Sequence, residues 1–134
     1  AQHLAVPRVH WSQPEEGESV TNSRAKGKAG ELEFARLCRS MGYEVRRTAQ
    51  YCGKTGDAAD CVGLPGIHIE VKRVEHLNID DALDQARRDA EAKQDGSLPI
   101  VAHRRNNTRW KITMDAADWF ELFREWEAGR SKES

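Results

Sequence analysis

The sequence predicts an α/β domain, one mixed β-sheet flanked by helices in the order α-β-β-β-α-β-β-α. Three observations carry that expectation. Apolar residues recur at helical spacing in three separated stretches, Lys26–Met41, Asn78–Gln94 and Asp115–Ala128. Short apolar runs lie between them, the clearest being Ile67 to Val74 (IHIEVKRV), which alternates with period two. Helices and strands interleave along the chain, the arrangement of a sandwich built around one sheet. At 134 residues the chain suits a single domain with a real core. We expect residues 24–130 to form it, behind a loosely ordered arm at 1–23 and ahead of a short tail at 131–134. The arm lacks periodicity and carries Pro7, Pro14 and the acidic run Glu15-Glu16-Gly17-Glu18.

In the first helix Leu32, Ala35, Cys38 and Met41 recur on one face, joined by Phe34 and Leu37, and Gly42 marks the stop. Glu33 disagrees with that face. It lies four residues after Ala29 and four before Leu37, so it points inward and requires a basic side chain, a cation or a cleft. Tyr43–Gln50 reads as a strand with Arg46 and Arg47, and Gln50–Gly56 (QYCGKTG) as a glycine-punctuated loop. Asp60 leads into the short strand Cys61–Leu64, and Pro65-Gly66 makes a tight turn. On the following strand Ile67, Ile69, Val71 and Arg73 face one way, and His68, Glu70, Lys72 and Val74 the other. The second helix is capped by Asn78 or Asp80, with Ile79, Ala82, Leu83, Ala86 and Ala90 as its apolar stripe. Ser97–His103 reads as a buried strand, and Arg109–Thr113 as its hairpin partner. Asp115 caps the last helix, whose Ala116, Trp119, Phe120, Phe123 and Trp126 are expected to cover the core before Gly129 ends it.

Composition narrows the function classes. Apolar residues make up 38% and charged residues 32%, a polar but foldable chain. The formal charge is −1, yet the distribution is uneven. From Arg24 to Gly56 there are eight Lys or Arg against three Asp or Glu, and from Ser97 to Met114 four against none. A basic half of this kind binds a polyanion locally. Cys38, Cys52 and Cys61 form no CxxC pair, which argues against zinc and suits a reducing cytosol. Cys38 and Cys61 are expected in the core. No apolar run approaches the ~20 residues of a membrane span, so a cytoplasmic protein with no membrane partner is expected.

The chemistry concentrates in Gly56–Arg73. Asp60 and Glu70 flank a turn that would set their carboxylates side by side at the end of the sheet, with the Val71 carbonyl as a further oxygen donor. Hard oxygen ligands in such a set hold Mg²⁺ and leave positions open for water and phosphate. Lys72, on the Glu70 face, would stabilise charge on the phosphate. Glu33 would approach the same place from the first helix as a further ligand. Asp57 is the rival of Asp60; Asp60 is preferred because it abuts the strand. His68 shares the Glu70 face and is expected to look into solvent, the alternative being that it assists a metal. Lys26, Lys28, Arg46, Arg47, Lys54, Arg73, Arg104 and Arg105 are candidates for backbone phosphates, which position DNA without reading its sequence.

These residues resemble the PD-(D/E)XK nuclease superfamily, and within it the archaeal-type and phage-borne Holliday-junction resolvases. The matching positions are Lys26-Gly27 and Glu33 on the first helix, Asp60 before a strand, Glu70-Val71-Lys72, and Gln85 on the second helix. The match spans roughly Arg24–Thr113, and Ala59 stands where the motif's proline would be. The resemblance implies a restriction-endonuclease-like fold and a catalytic role for Gln85 beside Glu33, Asp60, Glu70 and Lys72. It further implies a Mg²⁺- or Mn²⁺-dependent endonuclease of DNA recombination and repair, a homodimer that nicks opposed strands of a four-way junction. Competing expectations are a restriction- or repair-type nuclease on duplex or single-stranded DNA, and a nuclease-like DNA-binding domain without catalysis.

Overall fold

A computed structural model describes residues 23–48 and 59–132, with side chains from Gly27 onward. The arm expected at the N-terminus, the Gln50–Gly56 loop with Cys52 and Lys54, Asp57 and the Lys26 side chain lie outside the described residues. Elements follow the expected order: α1 (Ser23–Ser40), β1 (Arg46–Arg47), β2 (Cys61–Val62), β3 (Ile67–Arg73), α2 (Ile79–Lys93), β4 (Leu98–Arg104), β5 (Lys111–Thr113) and α3 (Ala116–Lys132). The five strands form one mixed sheet in sequence order, with β3 and β4 parallel and the other pairs antiparallel.

The period-two alternation of β3 sorts its side chains between two layers. Ile69 and Val71, with Ile100 and Ala102 of β4, pack against Phe34, Ala35 and Cys38 of α1 and against Val45 and Cys61. Leu37, Trp110 and Met114 pack at the border of this cluster. The opposite face meets α2 through Ala82, Leu83, Ala86 and Val101. Alanine at three of the buried α2 positions lets that helix lie close to the sheet. The parallel β3–β4 pair requires such a crossover helix. Asn78 caps it by accepting from the Asp81 N–H, as expected, and Gln94 closes it in a left-handed conformation. Pro99 is tolerated in β4 because β5 pairs only with Val101–His103, so its missing donor falls outside that ladder.

Two glycines permit close approaches. A Cβ on Gly30 would lie 2.5 Å from the Arg73 Cβ, so α1 rides directly over β3 at this point. Gly63 has φ +126°, and a Cβ there would sit 2.3 Å from the Glu44 carbonyl oxygen. Both positions exclude any other side chain unless the backbone moves.

The last helix departs from expectation. α3 continues through Gly129 to Lys132 and buries none of its residues. Trp119, Phe120, Leu122 and Trp126 are all exposed. The core is complete without them, because α1 with Trp110 closes one face of the sheet and α2 the other. Met41 also lies at the surface, where α1 ends.

Gly30→Ala is expected to cost on the order of 1–3 kcal/mol by overpacking α1 against β3. Gly27→Ala, with open space around its Cβ, should instead stabilise α1 by roughly 0.5–1 kcal/mol. Chemical denaturation of the two variants beside wild type checks both signs.

Candidate active site

β2 is short, and its ladder with β3 ends at the Asp60–Cys61 step. The Asp60 N–H still donates to the Ile69 carbonyl at 2.9 Å. One residue pair further on, a side chain replaces backbone: the Val71 N–H donates to the Asp60 carboxylate at 2.8 Å. The N–H and C=O of one strand residue point to the same neighbour, so the Val71 carbonyl also lies on the Asp60 side. The turn and the antiparallel pairing thus bring Asp60, Glu70 and the Val71 backbone together.

Glu70 is only 2% exposed. Burial first, then the Asp60 charge with a hydrogen bond between the two carboxyls, and the Asp89 charge, push its pKa well above the usual carboxylate range, with Lys72 opposing. A hydrogen bond of 2.9 Å joins His68 Nε2 to Glu70 Oε1. His68 is fully buried rather than solvent-facing, because α2 roofs this face of the sheet. His68, Glu70 and Asp89 each offer a ligand atom within 4.8 Å of the others, a grouping that could hold a metal ion. Asp89 went unnoticed in the sequence, although it lies one helical turn beyond Gln85 on the same side of α2. Gln85 itself is exposed. Because α2 returns antiparallel to β3, Gln85 lies on the Lys72 side of Asp89.

Two carboxylates leave α1, and they part company. Glu33 does not join Asp60 and Glu70. It pairs with Arg104 and Arg73 and accepts from the Trp110 indole N–H at 3.1 Å. The reason is strand parity: Arg73 and Arg104 share the α1 face of the sheet, so the inward charge on α1 meets guanidinium groups there. Glu31 is the α1 carboxylate that comes near the site. Its backbone carbonyl accepts from the Cys61 thiol, and its side chain accepts from Arg47 Nε. It feels the charges of Asp60 and Lys72, and burial is the main reason its pKa is raised. The signal was present in the sequence, since Glu31 stands four residues before Ala35 and seven before Cys38, on the most deeply buried stripe of the helix.

The basic candidates divide in the same way. Arg104 is buried, donates to the Thr108 carbonyl and pairs with Glu33. Arg73 is committed to Glu33 and to Asn106, and Arg47 to Glu31. These three hold the fold together rather than reaching out for phosphate. Lys28, Arg46 and Arg105 are exposed. Cys38 and Cys61 are core thiols as expected, and burial pushes Cys61 up to about 12. No helix is long and apolar enough to cross a membrane among the described residues.

The donor chemistry around Asp60 fits a hard divalent cation: two carboxylates and one backbone carbonyl, all oxygen. Among solved structures, the chain is similar to Hjc of Archaeoglobus fulgidus, described as a Holliday junction resolvase from an archaeal hyperthermophile. The identity is 22% and the TM-score 0.49, covering 66% of this chain and 72% of that one. No protein-family model and no curated protein matches the chain.

The raised pKa of Glu70 has a sign that can be measured. The folded chain holds this proton more tightly than the unfolded chain, so its stabilising effect is full at acid pH. It is lost as pH rises from the unfolded carboxylate range through the folded pKa. The metal-free protein should therefore lose stability between about pH 5 and 9 more steeply than Glu70→Gln. Thermal melts of both in EDTA across that range check it.

Proposed function

We propose that this chain is a divalent-metal-dependent endodeoxyribonuclease of the PD-(D/E)XK type that hydrolyses phosphodiester bonds in branched DNA. The observation that carries the reading is the pairing of the Asp60 and Glu70 carboxylates where the β2 ladder gives out, with Lys72 next on the Glu70 face. Asp60, Glu70 and the Val71 carbonyl would hold the ion. When bound, Mg²⁺ or Mn²⁺ supplies charge neutralisation at the phosphate and lowers the pKa of a coordinated water.

The remaining roles belong to the chain. The Val71 N–H fixes the Asp60 carboxylate, so the ligand needs no reorganisation when phosphate arrives. His68 fixes Glu70 from the α2 side, as partners of ligating groups commonly do. The Lys72 ammonium stabilises negative charge on the attacked phosphate. Glu31 takes the place first assigned to Glu33, balancing Lys72 and orienting the nucleophilic water. Gln85, exposed and on the Lys72 side of Asp89, contributes a neutral hydrogen-bonding group at the border of the site. Lys28, Arg46 and Arg105 hold the DNA backbone without selecting bases. The branched substrate follows from the motif resemblance, and cutting a two-fold junction on opposed strands calls for two copies of the site.

Labelled four-way junction, linear duplex and single strand, each incubated with Mg²⁺ or EDTA, test the reading. Metal-dependent cleavage of the junction above the other two is expected. Absence of cleavage on every substrate overturns the enzyme, and equal cleavage of all three overturns the preference for branches. Asp60→Ala and Glu70→Ala should each lower cleavage by at least ~10²-fold while leaving junction binding in gel shifts intact.

Glu31 and Glu33 are separable by the same assay. Glu31→Gln should reduce the cleavage rate at a smaller cost in stability than Glu33→Ala, since the Gln amide oxygen still accepts from Arg47 Nε. Glu33→Ala removes the carboxylate that pairs with the buried Arg104 and should cost on the order of 1–3 kcal/mol of stability, read by chemical denaturation.

A further inference from the structure

α3 is an amphipathic helix that no other described element covers extensively. Trp119, Phe123 and Trp126 form a ladder along one face, with ring centroids 5.3 Å apart at both steps, and Phe120 lies edge-on to Trp119 at 5.0 Å. Ala116 begins the same face, and Arg130 ends it by lying over the Trp126 ring at 4.5 Å. None of these residues is buried, and no described element packs extensively on the helix. Its root, however, is held firmly. Arg87 of α2 grips Asp115 with two hydrogen bonds, at 2.6 and 2.7 Å. The chain thus tethers the start of an aromatic helix to α2 and leaves its apolar face open. Isolated helices of this length are marginal in water, so the aromatic face calls for a covering surface.

We infer that the α3 helices of two copies of this chain pair antiparallel through the Trp119–Phe123–Trp126 face, around a two-fold axis near Phe123. Charge favours that partner and that direction. The first turn of α3 carries Asp118 and its last turn Arg130 and Lys132, with Glu121, Glu125 and Glu127 between the two ends. Antiparallel packing sets each acidic end against a basic one and opposes the helix dipoles, whereas parallel packing stacks like ends. Ala116 then lies across from Arg130, a small residue facing a large one. The N-terminal arm is a poorer occupant, since its Glu15, Glu16 and Glu18 would add acid to a helix already holding four acidic residues. With Trp119, Phe120 and Trp126 about half exposed and Phe123 partly so, each copy covers on the order of 400 Å². A pair near ~800 Å² sits below the usual size of stable interfaces, so association should depend on concentration. The pairing stands on α3 alone. Its test reads mass rather than cleavage, so it holds or fails separately from the nuclease reading.

Sedimentation velocity of the full chain across a concentration series is the test. Wild type should pass from one to two chain masses as concentration rises. Trp119→Glu and Phe123→Glu should remain at one chain mass with unchanged circular dichroism from the β-sheet, since α3 is outside the core. Arg124→Ala, off the aromatic face, should behave as wild type. For direction, Phe123→Cys should form a disulfide-linked dimer on oxidation beyond any seen for wild type, and Ala116→Cys should not. A wild type that stays monomeric throughout, as it would if the arm covered α3, overturns the inference. So does a dimer that survives both Glu substitutions, and cross-linking through Ala116→Cys overturns the antiparallel direction.

Discussion

One hydrogen bond organises the centre of this protein: the Val71 N–H donating to the Asp60 carboxylate. In an uninterrupted hairpin that donor would meet a backbone carbonyl of the neighbouring strand. Here the strand ends and a charged side chain takes over, so a carboxylate becomes part of the sheet edge. The consequence reaches Glu70, which the same pairing places against Asp60 and which α2 buries. Two acids held together away from water repel each other, and they are tolerated only if a proton, a cation or a lysine intervenes. A pair of this kind stores an electrostatic demand in the fold. The demand is met by whichever positive species arrives.

The surrounding ion pairs follow from strand parity. Residues on the α1 face of β3 and β4 include Arg73 and Arg104, and Glu33 meets them there in an arrangement that ties α1 to the carboxyl ends of both strands. Residues on the α2 face include His68, Glu70 and Lys72. Glu31 escapes this division because it lies toward the edge strands, where Arg47 and Cys61 receive it. Basic residues close to the core are consumed by these pairs. Electrostatic contact with a polyanion is left to a smaller exposed set than the charge pattern alone suggests.

α3 belongs to a different economy. Its root is fixed to α2 through Arg87 and Asp115, and the rest stands clear of the core. Four aromatic residues at helical spacing satisfy the pattern of a core-facing helix equally well whether the core is this chain's own or another surface. Periodicity reports that a face is apolar and says nothing about what will cover it.

The sequence by itself determined the order of elements, the two-faced character of β3, the capping of α2 and the meeting of Asp60 with Glu70. All of these are local: they depend on a period of two, a turn of a few residues and a cap three positions from its donor. The tertiary structure alone decided which α1 carboxylate reaches the site, which arginines are committed to ion pairs, that His68 is buried, and that α3 stays off the core. Each of those depends on how layers are placed against one another. Glu31 and Glu33 are both inward on α1, two residues apart, and only the placement of α1 over β2 and β3 separates them. That placement is set by the contact at Gly30, between residues more than forty positions apart in the chain, where local periodicity carries no information.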